Sequence, residues 1–410
     1  MNVLFVHEVD LLKKVVFEIH TLAEKLSLLG HKVFAIDYES MWTKEKFFDL
    51  GSLKTRVIDG FNRVYPEASI YLKRPGFIKV PGLSRLTAVF THYLAIKQII
   101  IRENIGVVVL YSVPTNGLQT IYLARKFGIP VVFRSIDILH QLVPYSLLRP
   151  ITRTLEKCVY SNVDMILSLS PKLSGYVIKN GAKKEKVRVL LLGVDTRMFH
   201  PMLDSIALRQ KWQIGKDEQV ILFIGTLFEF SGLDNFIPYF HSIKEQIPKV
   251  KLLIVGDGPQ RPKLEKLIDT MNLKGQVIIT GFEPFETMPQ YINLASICIN
   301  TFSLTNATRE IMPGKLLQYL ACGKGVVATP LPGTTDVVPA NGCGMIYAST
   351  PEKMVENIIS VLQSSEYQQR LGKEALNYVQ RKHSYDQILR EFEALLEEAI
   401  EEKRKTTANI

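Results

Sequence analysis

Between Thr308 and Thr329 the chain reads "TREIMPGKLLQYLACGKGVVAT". An acid (Glu310), a proline, a lysine (Lys315) and a glutamine (Gln318) stand just ahead of a glycine-flanked apolar strand. Pro313 opens a helix and puts Lys315 in its first turn, where a cation opposes the positive end of the helix dipole. A bound anion removes that conflict, because the N–H groups of the helix start and the ammonium then face one negative charge. A purely structural helix–strand unit needs neither Glu310 before the proline nor Lys315 after it. Two more strand–loop–helix passages lie in the same half. In "FIGTLFEFSGLDNF" the hydroxyls of Thr226 and Ser231 are expected to face a phosphate beside the N–H groups of a helix start. "VGDGPQRPKLEKL" lacks the glycine spacing of a dinucleotide fingerprint and by itself is a turn with capping chemistry.

The elements that must position these groups form two series. "VLFV", "KVFAI", "VVVLY", "VVF", "MILSLS" and "VRVLLL" read as strands in the first half, and "VILFIG", "KLLIVG", "VIIT", "ICIN", "GVVAT" and "MIY" in the second. Helical patterns separate them. The clearest carries Ile19, Leu22, Ala23, Leu26 and Leu29 on one stripe, with Glu18, Glu24 and Lys25 off it, and ends at Gly30. Short apolar strands alternating with helices predict a parallel, doubly wound sheet, and two series predict two Rossmann-like domains. The seam falls near "LLGVDTRMFHP", 191–201. Ligands of such sheets sit at the carboxyl ends of the strands, so a cleft between two facing domains is the expected site.

The 410 residues suit two domains of roughly 200 residues each. "MNVLFV" leads directly into the acidic "HEVD", so no signal peptide is expected. The four cysteines have no metal-type spacing and read as reduced packing residues of a cytoplasmic protein. Of the net +10, residues 1–200 carry 28 Lys+Arg against 16 Asp+Glu, and residues 201–410 carry 22 against 24. One half is therefore expected to meet an anionic partner. "YLKRPGFIKVPGLSRLTAVF" interleaves Lys73, Arg74, Lys79 and Arg85 with Phe77, Ile78, Val80 and Leu83. "QLVPYSLLRPITRTLEKCVY" repeats the mixture with Arg149, Arg153 and Lys157. Such mixtures suit an anionic membrane surface. No nucleic-acid recognition motif or aromatic stacking set is present.

Taken in order, "GTLFEFSGLDNF", "VGDGPQ", "VIITGFEPFETMPQYINLASICIN" and "PGKLLQYLACGKGVVAT" resemble the donor-binding domain of the family 4 retaining glycosyltransferases of GT-B fold. "FEIHTLAEKLSLLGHKV", "GIPVVFRSIDIL" and "VDMILSLSPKLSGYVIKNG" extend the resemblance over nearly the whole chain. It implies an acceptor-binding domain at 1–195, a nucleotide-sugar-binding domain at 196–382, and a final helix at 383–410 packing back towards the first. It also implies a UDP- or GDP-sugar donor held by Gly225, Thr226, Ser231, Gly256, Gly281, Phe282, Arg309, Glu310, Gly314, Lys315, Leu316 and Gln318. Gly281 and Phe282 match the loop that holds the base. Glu310 matches the first glutamate of the family's E-x7-E motif, which bonds hydroxyls of the donor sugar, and Gln318 stands where the second, ribose-binding glutamate belongs.

The departures matter as much. The family's usual Arg and Lys for the diphosphate are replaced by Thr226 and Ser231, whereas a subset writing "P-x-K-L-x-E-Y" places a lysine in the following helix. Pro313, Lys315 and Tyr319 fit that subset, so Lys315, with Arg309, supplies the charge. In the first half Lys13 and Lys14 replace a glycine pair, and the His-Asp pair after the fourth strand reads Ile136-Asp137. Asp137 is expected to orient the acceptor, with Arg134 and His140 beside it; capping of the next helix is the plainer role for Asp137. The catalytic set is Glu310, Lys315 and Asp137, with no obligatory metal and no cofactor beyond the nucleotide-sugar. Lys13, Lys14, Arg134, Asp137 and His140 form the acceptor side. The acceptor is a glycolipid or polyprenyl-linked glycan, met at the cytoplasmic face of a membrane, with no nucleic-acid partner. A non-catalytic binding subunit of the same fold is the rival reading.

Overall fold

The computed structural model describes residues 1–39, 49–143, 145–202 and 205–408. The chain divides into two compact units, Met1–Leu190 with Ile388–Ile410, and Leu191–Gln387. The first division falls at 190/191, against the expected 195/196, and the second at 387/388, against 382/383.

The first unit runs β1 (Asn2–Val6), α1 (Glu18–Leu28), β2 (Lys32–Ile36), β3 (Arg56–Phe61), β4 (Ile70–Arg74), α2 (Leu83–Arg102), β5 (Val107–Leu110), α3 (Gly117–Lys126), β6 (Val131–Ser135), α4 (Arg149–Asn162), β7 (Met165–Ser168), α5 (Pro171–Lys179) and β8 (Val187–Val189). Its sheet has the order β3-β4-β2-β1-β5-β6-β7-β8, with β3 antiparallel to β4 and the rest parallel. Residues on both faces of β1 and β5 are buried, as helix-covered parallel strands require.

β3 and β4 are strands that the sequence did not announce, because β4 carries two cations. Both are buried: Arg74 reaches Asp37 and, at 2.5 Å, Asp10, while Lys73 donates to Gln98. Lys79 is likewise enclosed, 2.6 Å from Asp49 and 3.3 Å from Glu39. These three buried cations therefore serve ion pairs (Arg74, Lys79) and a hydrogen bond to an amide (Lys73) inside the unit and are no part of a membrane-facing surface, a correction to the expected patch. α1 is also buried further round than its apolar stripe implied. Its Glu24 carboxylate accepts the backbone N–H groups of Arg63, Val64 and Tyr65 at 2.8–2.9 Å, so an acid expected at the surface anchors the loop before β4. Gly30, at φ 87°, ends the helix as expected.

The second unit runs α6 (Ile206–Lys211), β9 (Gln219–Ile224), α7 (Leu233–Phe236), α8 (Phe240–Gln246), β10 (Val250–Val255), α9 (Arg261–Thr270), β11 (Val277–Gly281), α10 (Met288–Leu294), β12 (Ile297–Asn300), α11 (Gly314–Ala321), β13 (Val326–Ala328), α12 (Pro332–Val337), β14 (Met345–Tyr347), α13 (Pro351–Leu362) and α14 (Ser365–Lys382). The all-parallel order β11-β10-β9-β12-β13-β14 is the doubly wound Rossmann-like order, with its switch point between β9 and β12. α15 (Tyr385–Ala408) starts in this unit, and its residues from Ile388 onward belong to the first.

Candidate active site

At the carboxyl ends of β9 and β10 the chain can turn only through glycine. Gly225 (φ 146°) and Gly256 (φ 147°) face each other, and a Cβ on Gly256 would run into the carbonyl oxygen of Gly225. The Leu227 N–H donates to the Asp257 carbonyl at 3.0 Å and the Gln260 N–H to the Leu227 carbonyl at 2.9 Å, knitting the two loops. Gly281 bridges to Gly256, and the next residue, Phe282, is 72% exposed.

Lys315 reaches this point from α11. Leu316, Leu317, Tyr319 and Leu320 bury the helix against the sheet, and the Tyr319 hydroxyl accepts the Ile224 N–H at 2.7 Å, tying α11 to the end of β9. The Lys315 Nζ is shut off from solvent with no hydrogen-bond partner among the described residues. It lies 3.7 Å from the ring centre of Phe223 and 4.2 Å from that of Phe302, and a Cβ on Gly225 would stand 3.4 Å from it. Phe230 packs edge-on against Phe302 at 5.3 Å and Phe228 stacks on Phe230 at 5.3 Å, so "LFEF" braces an aromatic cage that no local pattern announces. Burial pushes Lys315 well below the ordinary lysine range. Ring faces offset part of the lost hydration of an ammonium, but an unpaired buried cation remains costly until an anion arrives.

Glu310 is half-buried on a turn, 3.7 Å from the Arg309 Nε. The start of α12 clamps that turn. The Gly333 N–H donates to the Arg309 carbonyl at 2.9 Å, and the Thr334 hydroxyl donates to the Ile311 carbonyl at 2.9 Å. A Cβ on Gly333 would collide with the backbone of Glu310. The buried hydroxyl of Thr308 donates to the Ser303 carbonyl at 2.5 Å from inside the turn. Gly333 and Thr334 were missed; the only local sign is a glycine directly after Pro332, ahead of a short helix.

Lys315, Gly225, Gly256 and Gly281 are thus brought into direct succession. Gly314 is exposed at the helix start, and Gln318 is half-buried one turn after Lys315. Two expectations are corrected. Leu316 is a core side chain, and its N–H donates to the Pro313 carbonyl. Ser231 is buried at 2% exposure, with its carbonyl accepting the Thr301 hydroxyl at 2.6 Å, so it builds the loop from within. Thr226 is half-buried at the start of that loop, and its carbonyl accepts the Phe228 N–H at 3.0 Å.

In the first unit, the carboxyl end of β6 carries Asp137 and His140. Arg134 is not available to a ligand: it is buried, bidentate to Glu18, and donates to the Leu190 carbonyl at 2.7 Å. Lys13 and Lys14 are exposed on the loop after β1, held by Asp10, whose Oδ1 accepts the Leu12 and Lys13 N–H groups at 3.1 Å. Burial, and then the charge of Glu18, raise Asp137 from 3.8 to about 6. An acid raised in the folded state destabilises it progressively as pH rises from 3.8 to 6, and the full penalty persists above. Asp137→Asn is therefore expected to stabilise the protein by about 1–3 kcal/mol at pH 8 and to leave it unchanged below pH 4. Denaturant unfolding at the two pH values measures this.

The sheet orders and the anion-ready helix start at the switch point define a protein of GT-B fold. Solved structures agree. A sucrose-phosphate synthase from Thermosynechococcus elongatus superposes with a TM-score of 0.73 at 17% identity, covering 97% of this chain and 98% of that one. The Anabaena HepE protein, solved in complex with UDP, superposes with a TM-score of 0.71 at 15% identity, over 97% and 100%. The family description "Glycosyltransferase Family 4" matches residues 18–197 and "Glycosyl transferases group 1" matches residues 204–378. The chain belongs to these glycosyltransferases. Among curated relatives, an uncharacterized glycosyltransferase of Methanocaldococcus jannaschii is 20% identical over 60% of this chain and 62% of its own length. A phosphatidylinositol N-acetylglucosaminyltransferase subunit of Saccharomyces cerevisiae is 24% identical over 79% and 66%. The match thus spans a little under two thirds of these relatives' lengths.

Proposed function

We propose that this glycosyltransferase moves a sugar, with retention, from a UDP- or GDP-sugar to a hydroxyl of a lipid-linked or glycan acceptor, as a peripheral protein at the cytoplasmic face of a membrane. One observation carries the donor: the unpartnered ammonium of Lys315 at the start of α11, against Gly225. A diphosphate there satisfies the lysine and meets the N-terminal N–H groups of the helix. Phe282 offers its exposed ring to the base, and Glu310 accepts from the sugar's hydroxyls.

As the bond from the anomeric carbon to the diphosphate oxygen breaks, Lys315 and the helix start stabilise the charge left on that oxygen. The acceptor oxygen bonds to the carbon on the same face, and its proton passes to the departing oxygen, while Asp137 orients the acceptor. Lysine and helix dipole supply the charge that a metal supplies elsewhere, so EDTA is expected to leave transfer unchanged. Calorimetric titration with UDP, GDP, ADP and CDP tests the donor reading: one diphosphate binds, and binding by none of the four overturns it.

For the acceptor, two curated relatives act by name on lipids: the yeast subunit above and an alpha-monoglucosyldiacylglycerol synthase of Streptococcus pneumoniae, 26% identical over 56% of this chain and 53% of its own length. In this chain α2 buries Ala88, His92, Ala95, Ile96 and Ile99, yet leaves Leu83, Leu86, Val89, Phe90, Leu94 and Ile101 exposed. Leu142, Tyr145, Leu147, Leu148 and Ile151 are exposed beside the exposed cations Arg149, Arg153 and Lys157. No helix among the described residues is long and apolar enough to cross a membrane. Apolar groups among exposed cations suit an anionic lipid surface, at about 1 kcal/mol per cation. The protein is expected to sediment with phosphatidylglycerol vesicles and not with phosphatidylcholine ones, and Arg149→Glu with Arg153→Glu to weaken this by at least about tenfold.

A further inference from the structure

Around His140 the first unit holds an arrangement that no step above uses. The Glu156 side chain, fully buried on α4, accepts the backbone N–H of His140 on Oε1 at 2.9 Å. Its Oε2 lies 2.8 Å from the His140 Nδ1 and accepts the hydroxyl of Tyr176, from α5, at 3.1 Å; that hydroxyl is also 3.2 Å from Nδ1, but a lone pair on Nδ1 would face the carboxylate oxygen. The imidazole stacks on the Tyr176 ring, with planes 24° apart. Burial and the charge of Glu156 hold the Tyr176 phenol well above its ordinary range, so it stays a donor.

A carboxylate offers only acceptor oxygens. With backbone N–H, phenol O–H and imidazole all converging on it, the proton of a neutral His140 must sit on Nδ1. Nε2 is then a lone pair, and it has no partner among the described residues. The His140 side chain is 16% exposed, at the carboxyl end of β6 and three residues after Asp137. Holding the loop to α4 requires only the backbone bond to Oε1. The second oxygen, the phenol and the ring stack act on the imidazole alone, as in sites where a carboxylate fixes which nitrogen of a histidine faces substrate.

We propose that Glu156 is a positioning residue that fixes His140 as its Nδ1–H tautomer, with the Tyr176 ring holding the imidazole plane, so that Nε2 accepts a hydrogen bond from a hydroxyl of a polyol acceptor. This rests on the reading that the first unit takes the acceptor. It places the imidazole that meets the acceptor four residues beyond Ile136, and it makes the reacting partner a hydroxyl donor.

The test uses the whole protein labelled with 15N-histidine, n-octyl β-D-glucoside below its micelle concentration as the probe, and His140→Gln to assign the signals. His140 is expected to appear as the Nδ1–H tautomer, and its Nε2 resonance to shift saturably with the glucoside. Glu156→Gln places an amide N–H against Nδ1; it is expected to move the proton to Nε2 and to weaken the glucoside by at least about tenfold, or 1.4 kcal/mol. Tyr176→Phe keeps the carboxylate and so keeps the tautomer, which preserves the test if the buried Glu156 variant does not fold. A wild-type Nε2–H tautomer overturns the proposal. So does an Nε2 resonance that the glucoside leaves unmoved, whatever the variants do to the melting temperature. No nucleotide is involved, so this outcome is independent of the four-nucleotide titration.

Discussion

Lys315→Met is expected to abolish most of the affinity for the donor diphosphate while making the protein more stable. Methionine fills nearly the same volume between Phe223 and Phe302 and makes favourable sulfur–aromatic contacts. What it removes is an unpaired cation whose Nζ is buried without a partner. Relieving that desolvation is worth about 1–3 kcal/mol, which raises the melting temperature by about 2–4 °C per kcal/mol in a unit of this size. Losing a charge-assisted contact to diphosphate costs about 1.5–3 kcal/mol, so affinity falls roughly tenfold to 100-fold.

The pH dependence separates this from ordinary repacking. Burial lowers the folded-state value of Lys315, so the unfolded chain binds more protons in the window beneath 10.5. Stability then rises with pH through that window. Wild type should therefore recover towards Lys315→Met as the solution becomes alkaline, and the gap should be wider at neutral than at alkaline pH. Thermal scans at neutral and alkaline pH, with calorimetric titration of the nucleotide, measure both effects. A variant that binds normally, or that is less stable than wild type at neutral pH, would show the cage to be plain core.

The second large effect is expected at the clamp on Glu310. Glu310→Gln keeps the shape of the side chain but removes the charge that, in the proposed function, accepts from the donor sugar. Transfer should fall roughly 100-fold, about 2.7 kcal/mol of transition-state stabilisation, with affinity for the free nucleotide diphosphate kept within about threefold. Gly333→Ala should reproduce that pattern without touching the acid. Its Cβ meets the Glu310 backbone, which no rotamer change can move aside, so the turn must shift. In the proposed reading the free diphosphate is held chiefly by Lys315 and the start of α11, which the new Cβ does not meet. Steady-state rates with the donor, beside titration with its diphosphate, distinguish the outcomes. Equal losses in both, or none in either, would contradict the assignment of Glu310 to the sugar.

The sequence by itself determined the two doubly wound units. Every strand expected from a short apolar run is present, because parallel strands covered on both faces must be apolar throughout. It also marked Lys315 and Glu310, since a lysine in the first turn of a helix is a local conflict that shows in the letters. Tertiary structure alone decided what surrounds them. The cage draws Phe223, Phe230 and Phe302 from separated stretches, and each looks like ordinary core in its own window. β4 stayed hidden because Lys73 and Arg74 interrupt its apolar pattern, and their partners, Gln98, Asp37 and Asp10, lie 25 to 64 residues away. Arg134 and Glu156 follow the same rule. A buried charge is satisfied by whatever the fold brings beside it, and periodicity records which face a residue takes but not which partner it meets there.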